Sequence, residues 1–286
     1  MDENNNGISS PFSILPEDCI SNIIYLMKSP KDAGRASVIS FGFKSASESD
    51  NIWAQFLPSD YREILSKSVS PPLNYSTKKE LFSHLCRSPI LVNDGSLSFW
   101  LSKSSGKKCY MLCARKLSII WADVPRYWIW TSIRESRFSE VVELIDVCWL
   151  KIRGQMQTQM LSQKTCYAVY LVFKTRERWY GLETVAKASI GFVGGSGGTS
   201  FVFYQKNNSV YLNPPTDSHN HQSVEQQIDG RVPHQRNDGW LEIFLGEFYN
   251  DEGDGDIEFH LWETEVLNWK RGLIIEGIEL RPMDDV

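Results

Sequence analysis

A small all-helical module followed by an antiparallel β-sandwich is the mainly-β architecture this sequence predicts, and three observations predict it. Apolar residues recur at spacings of three and four over the first sixty positions. From Cys109 onward the period falls to two, with no regular helical pattern between successive strand candidates. Polar or glycine-rich segments separate those candidates, as antiparallel connections require. A chain of 286 residues has room for two domains of ordinary size.

The helical elements come first. Leu15-Pro16-Glu17-Asp18 predicts a helix start, with proline in a first turn that needs no N–H and acids at the positive end of the dipole. Ile20, Ile23, Ile24 and Met27 then share one face. Ser29-Pro30-Lys31-Asp32 repeats the start signal before a helix carrying Ala33, Ala36 and Ile39, with Ser29 as N-cap. Asp50 is the expected cap of a third helix, which presents Ile52, Trp53, Phe56 and Leu57 before Pro58 ends it. Fifty residues in three short helices have too little interior for so many apolar side chains, so some must face a partner.

The order Leu15-Pro16, Ile20, Ile23, Ile24, Asp32, Val38, Phe43, Ala46, Asp50, Trp53 resembles the F-box, the module that docks on the Skp adaptor of cullin-RING ubiquitin ligases. The resemblance spans residues 9–58 and implies adaptor contacts at Leu15, Pro16, Ile20, Ile23, Ile24 and Trp53. One departure is Ser40-Phe41-Gly42-Phe43, where F-boxes commonly place a basic residue before the aromatic.

Residues 59–105 read as a helical and linker region. Ser59-Asp60-Tyr61 opens a pattern with Ile64 and Leu65, and Ser68 to Ser76 is a serine- and proline-rich hinge or linker. Thr77-Lys78-Lys79-Glu80 has capping-box spacing ahead of Leu81, Phe82 and Leu85. Ser102 to Lys108 reads as an exposed break, and the sandwich is expected over 106–283.

Within the sandwich, Ile145 to Gly154 alternates, with Cys148, Leu150 and Ile152 opposite Trp149, Lys151 and Arg153. Thr165 to Lys174 is apolar on both faces, as a doubly covered strand requires. Further strands are expected at Lys187–Val193, Thr199–Gln205, Trp240–Leu245, Ile257–Trp262 and Leu273–Arg281. Gly191 to Gly198 reads as a flexible turn, Asn250 to Asp256 as a solvated acidic turn, and Lys206 to Asp238 as a long surface loop.

Composition narrows the function. A net charge of −5 without a long basic run argues against nucleic-acid and anionic-membrane surfaces. The acidic start Met1-Asp2-Glu3 lacks the pattern of a signal peptide, and no apolar run reaches about 20 residues. A soluble protein of the cytoplasm or nucleus is expected. The six cysteines show no CxxC pair and read as free thiols, Cys109 and Cys113 packing in a strand. His219, His221 and His234 lack partners at ligand spacing, so no metal or other cofactor is expected.

Leu117 to Trp130 is the densest aromatic stretch, a strand running into a turn at Asp123 to Pro125 that returns Tyr127 and Trp128 beside it. Tryptophans at a turn offer flat apolar faces with an N–H at the edge, which suits sugar rings. Taken with Lys107 to Trp121, Pro125 to Trp130, Val147-Cys148-Trp149-Leu150, Lys164 to Phe173, Arg236 to Ile243, Leu245-Gly246-Glu247-Phe248 and Arg281-Pro282, it resembles the phloem protein 2 family, which includes the Nictaba-type lectins. That resemblance implies a lectin-like sandwich for N-acetylglucosamine oligomers or N-glycan cores, with Trp121 and Trp128 stacking on the ligand and Asp256 and Glu263 as its acidic residues. Seven residues apart on an unbroken strand, these carboxylates would face opposite sides and lie about 24 Å apart, so a bulge or early strand end is required. Trp149 is expected to act through stability.

The combined reading is a non-catalytic substrate receptor of an SCF-type ubiquitin ligase. Its partners would be a Skp-type adaptor, a target glycoprotein and an N-acetylglucosamine-containing glycan. A stand-alone lectin, a lectin fold that recognises polypeptide, and a glycan-processing enzyme with two carboxylates within about 5–10 Å are the alternatives.

Overall fold

The computed structural model describes residues 15–196, 199–204, 207–214 and 231–285. Helix α1 (Glu17–Leu26) starts after Pro16, which is its extended N-cap rather than a first-turn residue. Ser29 caps α2 (Pro30–Ala36) as expected, its hydroxyl accepting the Asp32 N–H at 3.2 Å. The module then departs from the three-helix reading. Ser40 accepts the Phe43 N–H and starts a separate helix α3 (Phe41–Ser47). Asp50 is the first residue of α4 (Asp50–Ala54), not its cap, and its carboxylate accepts the Lys78 N–H at 2.7 Å. That bond ties α4 to the start of α6 (Lys78–Arg87), beyond α5 (Tyr61–Ser66). The capping box at Thr77 and Glu80 is present in both directions.

The serine- and proline-rich segment is held to the sheet rather than hinged. Val69 donates its N–H to Leu91 O at 2.9 Å, and Ser68 bridges Val92. Strands also begin earlier than residue 106. β1 (Ile90–Val92) and β2 (Leu97–Leu101) form a hairpin, turned through Asn93, Asp94 and Gly95 at positive φ. Alternation over these short strands is masked because β2 is buried on both faces except at Trp100.

The remaining strands are β3 (Lys108–Cys113), β4 (Ser118–Ile119), β5 (Trp128–Thr131), β6 (Val141–Leu144), β7 (Leu150–Gln157), β8 (Thr165–Tyr180), β9 (Val185–Ser196), β10 (Thr199–Tyr204), β11 (Asn208–Tyr211), β12 (His234–Gln235), β13 (Leu241–Asn250), β14 (Asp256–Glu263) and β15 (Arg271–Pro282). All pair antiparallel in two sheets. The larger runs β1-β2-β3-β15-β8-β13-β12, with β6 joining β15 and β5 joining β6. The smaller runs β10-β9-β14-β7-β4, with β11 beside β9. Every strand segment expected from the alternation lies on or overlaps one of these strands. Gly191 to Ser196 is strand rather than turn, and residues 197 and 198 of the expected turn lie outside the described ones. Two short strands, β11 and β12, lie within the expected long loop; His219 and His221 lie outside the described residues.

The inner faces meet in one apolar core with Leu150, Ile152, Tyr167, Leu171, Phe248, Phe259 and Leu261. β15 carries a bulge between Ile275 and Gly277, where it passes β8; a Cβ on Gly277 would lie 1.9 Å from Leu112 O, so only glycine permits the approach to β3. The outer face of the larger sheet is also covered. Trp240, Phe138, Met111 and Ile274 form a second small core there, with Trp240 Nε1 donating to Glu135 O. Arg236 and Arg281 converge nearby on Glu242 and Glu279.

The helices join this body through α6. Phe82 lies 5.3 Å from the Trp53 ring and 6.2 Å from Phe56, and the core continues from Ile24 and Phe43 through Leu81 and Leu85 to Phe99. Gly106 adopts a φ of +73°, and a Cβ there would lie 2.7 Å from Phe56 O. Lys108 adds an ion pair to Asp60 at 3.1 Å.

At one end of the sandwich the β14–β15 connection is fixed by a buried ion pair, Glu263–Lys270, both side chains 2% exposed. Lys270 Nζ also donates to Asn268 O at 2.8 Å and Cys148 O at 3.1 Å, while Glu263 Oε1 accepts the N–H groups of Val266 and Glu265. Burial opposes the charge on Glu263, but Lys270 and these N–H groups outweigh it and hold the carboxyl below its ordinary 4.5. A depressed carboxyl contributes stability that is full above 4.5 and lost as pH falls through the lowered folded value. Lys270→Met leaves Glu263 buried and unpaired and should cost about 3–5 kcal/mol in denaturant unfolding at pH 7. Glu263→Gln should give a shallower loss of stability between pH 5 and 3 than the parent chain; an unchanged acid slope would contradict this role for the pair.

Candidate functional site

The Trp121 turn is built from backbone hydrogen bonds and locked by two indoles. After β4, Ala122 donates to Ile119 O, Val124 donates to Trp121 O at 2.9 Å, and Tyr127 and Trp128 both donate to Val124 O. Trp121 sits at φ 62°, a conformation that non-glycine residues adopt only when the surroundings hold it. Those surroundings are Trp128 and Trp130. Trp128 Nε1 donates to Ile120 O and Trp130 Nε1 donates to Ala122 O, each at 3.0 Å, so the carbonyls on both sides of Trp121 are held. Arg115 lies 3.5 Å over the Trp130 ring and pairs with Glu140.

This geometry divides the two tryptophans implied by the resemblance. Trp121 is 43% exposed and backed by Tyr127 at 5.2 Å, so one indole face is open to solvent. Trp128 is 2% exposed and belongs to the core, a correction to its expected place as a second open platform. The turn does return Trp128 beside β4, but the ring lies beneath rather than on the surface, buried where β5 pairs β6 with Trp128 opposite Leu144. The turn and β5 enclose a cavity of about 270 Å³ lined by Asp123, Pro125, Ile129 and Trp130.

The two carboxylates do not converge. β14 pairs continuously with β7 from Asp256 opposite Gln157 to Glu263 opposite Leu150, so neither the required bulge nor an early end exists. The pair lies at opposite ends of the strand, about 24 Å apart. Ile120 donates to Lys151 O, so Glu263 shares an end of the sheet with Trp121, but its carboxylate is occupied by Lys270. Asp256 accepts from Gln155 Nε2 at 3.1 Å at the far end. Two-carboxylate hydrolysis at these residues is ruled out by that spacing.

Trp149, expected to be structural, is 43% exposed. The alternation that buries Leu150 and Ile152 already points Trp149 outward, a signal present in the sequence.

On the helical module, the residues implied to touch an adaptor also divide. Ile20, Ile24 and Trp53 are core residues, and Trp53 Nε1 donates to Ser47 O at 2.7 Å. These three are corrected from contact surface to scaffold. Leu15 is half-buried, and Pro16 and Ile23 are exposed. Leu26, Met27, Val38, Ile39 and Phe41 are exposed too, with Val38 and Phe41 nearly 90% so, at 87% and 88%. The surplus of apolar side chains inferred from composition is therefore displayed on α1, the α2–α3 turn and the start of α3. No helix among the described residues is long and apolar enough to cross a membrane.

Comparison with known proteins places this architecture. The family model described as Phloem protein 2 matches residues 107–282. In Arabidopsis thaliana, F-box protein PP2-B10 is 44% identical over 279 residues, covering 96% of this chain and 95% of that one. F-box protein SKIP3 of the same plant is 38% identical over 280 residues, covering 96% and 90%. Among solved structures, the CBM22-1 xylan-binding domain of Paenibacillus barcinonensis Xyn10C gives a TM-score of 0.30 at 10% identity, covering 59% of this chain and 87% of that one, a likeness too slight to carry an argument. With its helical module joined to a sandwich matched from β3 to the end of β15, the chain belongs to the phloem protein 2 family of plants, among the members that carry an F-box.

Proposed function

We propose that this protein is a substrate receptor of an SCF-type ubiquitin ligase: the helical module docks on a Skp-type adaptor and the sandwich selects targets through N-acetylglucosamine-containing glycans. The observation that carries the first half is the exposed cluster of Ile23, Leu26, Met27, Val38, Ile39 and Phe41 on a module whose core is already filled by Ile20, Ile24, Phe43 and Trp53. Isolated exposed apolar residues are ordinary, but a cluster of six on three adjacent short elements is the composition of an interface. Ubiquitin transfer then needs no chemistry from this chain, which supplies proximity between ligase and target.

For the second half, Trp121 supports the reading as an open, pre-ordered aromatic plate. Its ring loses little freedom on binding because the turn is held by the Trp128 and Trp130 indoles before a ligand arrives. Trp128 contributes as a pillar of the turn. Asp256 and Glu263 are left out of the proposed contact set.

Two measurements test these halves. Phe41→Ser combined with Leu26→Ser should weaken capture of a purified Skp adaptor by at least about tenfold, since truncated interface anchors commonly cost 1.4 kcal/mol or more. The thermal melt should be unchanged, and undiminished capture would contradict the proposed face. Titration calorimetry with chitotriose should show Trp121→Ala weakening binding roughly 5–100-fold, from lost stacking and burial together. Trp128→Ala should instead lower the unfolding free energy by about 3–5 kcal/mol. No heat from the parent chain across a glycan panel would turn the reading toward polypeptide recognition by the same fold.

A further inference from the structure

The outer face of the larger sheet carries a second small core, whereas that of the smaller sheet presents, among the described residues, a constellation of its own. The pairing register of β9, β14 and β7 sets it out in rows. His260 lies opposite Arg153 on one side and Ser189 on the other, and Trp262 lies opposite Lys151 and Lys187. Trp149, in the bend just before β7, lines the same groove as Lys151 and Trp262. Asn207, one residue before the Asn208 that pairs with Ala188, closes the row of Ser189. Together Trp149, Trp262, Lys151, His260, Ser189 and Asn207 line a groove of about 430 Å³, which shares no lining residue with the cavity beside Trp121.

Its electrostatics are asymmetric. Glu258, 2% exposed on this same face, is neutralised by Arg153 and touches His260 Nε2 at 3.3 Å. Lys187 is taken by Glu265. Lys151 makes no ion pair among the described residues and projects, exposed, beside both indoles. The His260 ring meets Trp262 edge-on, 6.5 Å between centroids at 88°, which steadies that plate. Two indoles, amide and imidazole groups beside them, the buried Ser189 and one uncompensated cation match a ring that has an apolar C–H face, hydroxyls at its edge and a carboxylate.

We propose that this groove is a second ligand site, taking an oligosaccharide of uronic acid units, with Trp149 and Trp262 beneath the rings and Lys151 on a carboxylate. The site borders the Trp121 turn through the Ile120–Lys151 hydrogen bond but shares no lining residue with its cavity. A neutral oligosaccharide would leave Lys151 unused, and a simple inorganic anion would leave both indoles unused.

The test is calorimetric titration of the full chain with trigalacturonate, with its neutral methyl ester and with chitotriose, alongside the parent and three variants. Trigalacturonate should bind, and more tightly than its ester. Lys151→Met keeps the stem and removes the charge, and should weaken trigalacturonate binding roughly three- to tenfold, the range for one exposed charge contact, while leaving the ester unaffected. Trp262→Ala should weaken both ligands about fivefold or more, and Trp121→Ala should leave both unchanged. Absence of trigalacturonate binding, equal binding of acid and ester, or indifference to Lys151→Met would overturn the proposal. Trigalacturonate binding that survives in a chain failing to bind chitotriose would contradict the Trp121 reading and uphold this one.

Discussion

Phe82 of α6, set between Trp53 and Phe56, is the contact on which the arrangement of the two modules depends. Four-helix modules of this size cannot bury enough apolar surface to be robust alone. Here α4 and α6 complete one another, and α6 in turn seats on β2. Each aromatic pair adds about 0.5–1.5 kcal/mol beyond burial, and truncating such a buried ring costs about 3–5 kcal/mol. The ion pairs at the same boundary, Lys108–Asp60 and Lys79–Glu48, are partly exposed and contribute at most about 1 kcal/mol each. Apolar packing therefore decides the joint, and the steric stop of Phe56 against Gly106 sets its geometry. The exposed face of α1 and α3 is thereby tied to the sandwich through α6, as the proposed receptor role requires.

The sandwich treats its surfaces unequally. On the larger sheet, a second small core and a network of arginines and glutamates close the outer face. Exposed tryptophans lie at the edge of the smaller sheet on pre-ordered backbone. Trp121 sits in a turn pinned by two indole N–H groups, and Trp149 stands beside Cys148, whose carbonyl is held by Lys270. Buried polar groups at this end of the molecule thus serve to fix the positions of exposed aromatic ones. The ion pair Glu263–Lys270 belongs to that supporting layer, which is why a residue expected to touch ligand is 3% exposed.

Much of this was legible in the sequence. The capping box at Thr77, the Ser29 cap and the alternation of β7 all express local physics and are present as read. What escaped depends on tertiary contact. The Ser40 cap of α3 sits within a run of apolar spacing through Phe41 and Phe43 that hides the helix boundary. β1 and β2 were too short and too fully buried for a period to appear. Burial of Trp128, Ile20, Ile24 and Trp53 follows from which neighbour covers each face, which spacing alone does not specify. The outer-face groove needed the register of three strands distant in sequence. Trp149 is the exception, since its outward direction was written in the alternation.

The proposal that one chain joins an adaptor to a glycan is tested most directly by a bridging experiment. Purified Skp adaptor is passed over immobilised chitotriose in the presence of the full chain, of Phe41→Ser and of Trp121→Ala. Retention of the adaptor with the parent chain and its loss with either variant is the predicted result. Retention that survives both substitutions, or an adaptor that never stays on the column although the chain itself does, would contradict the account.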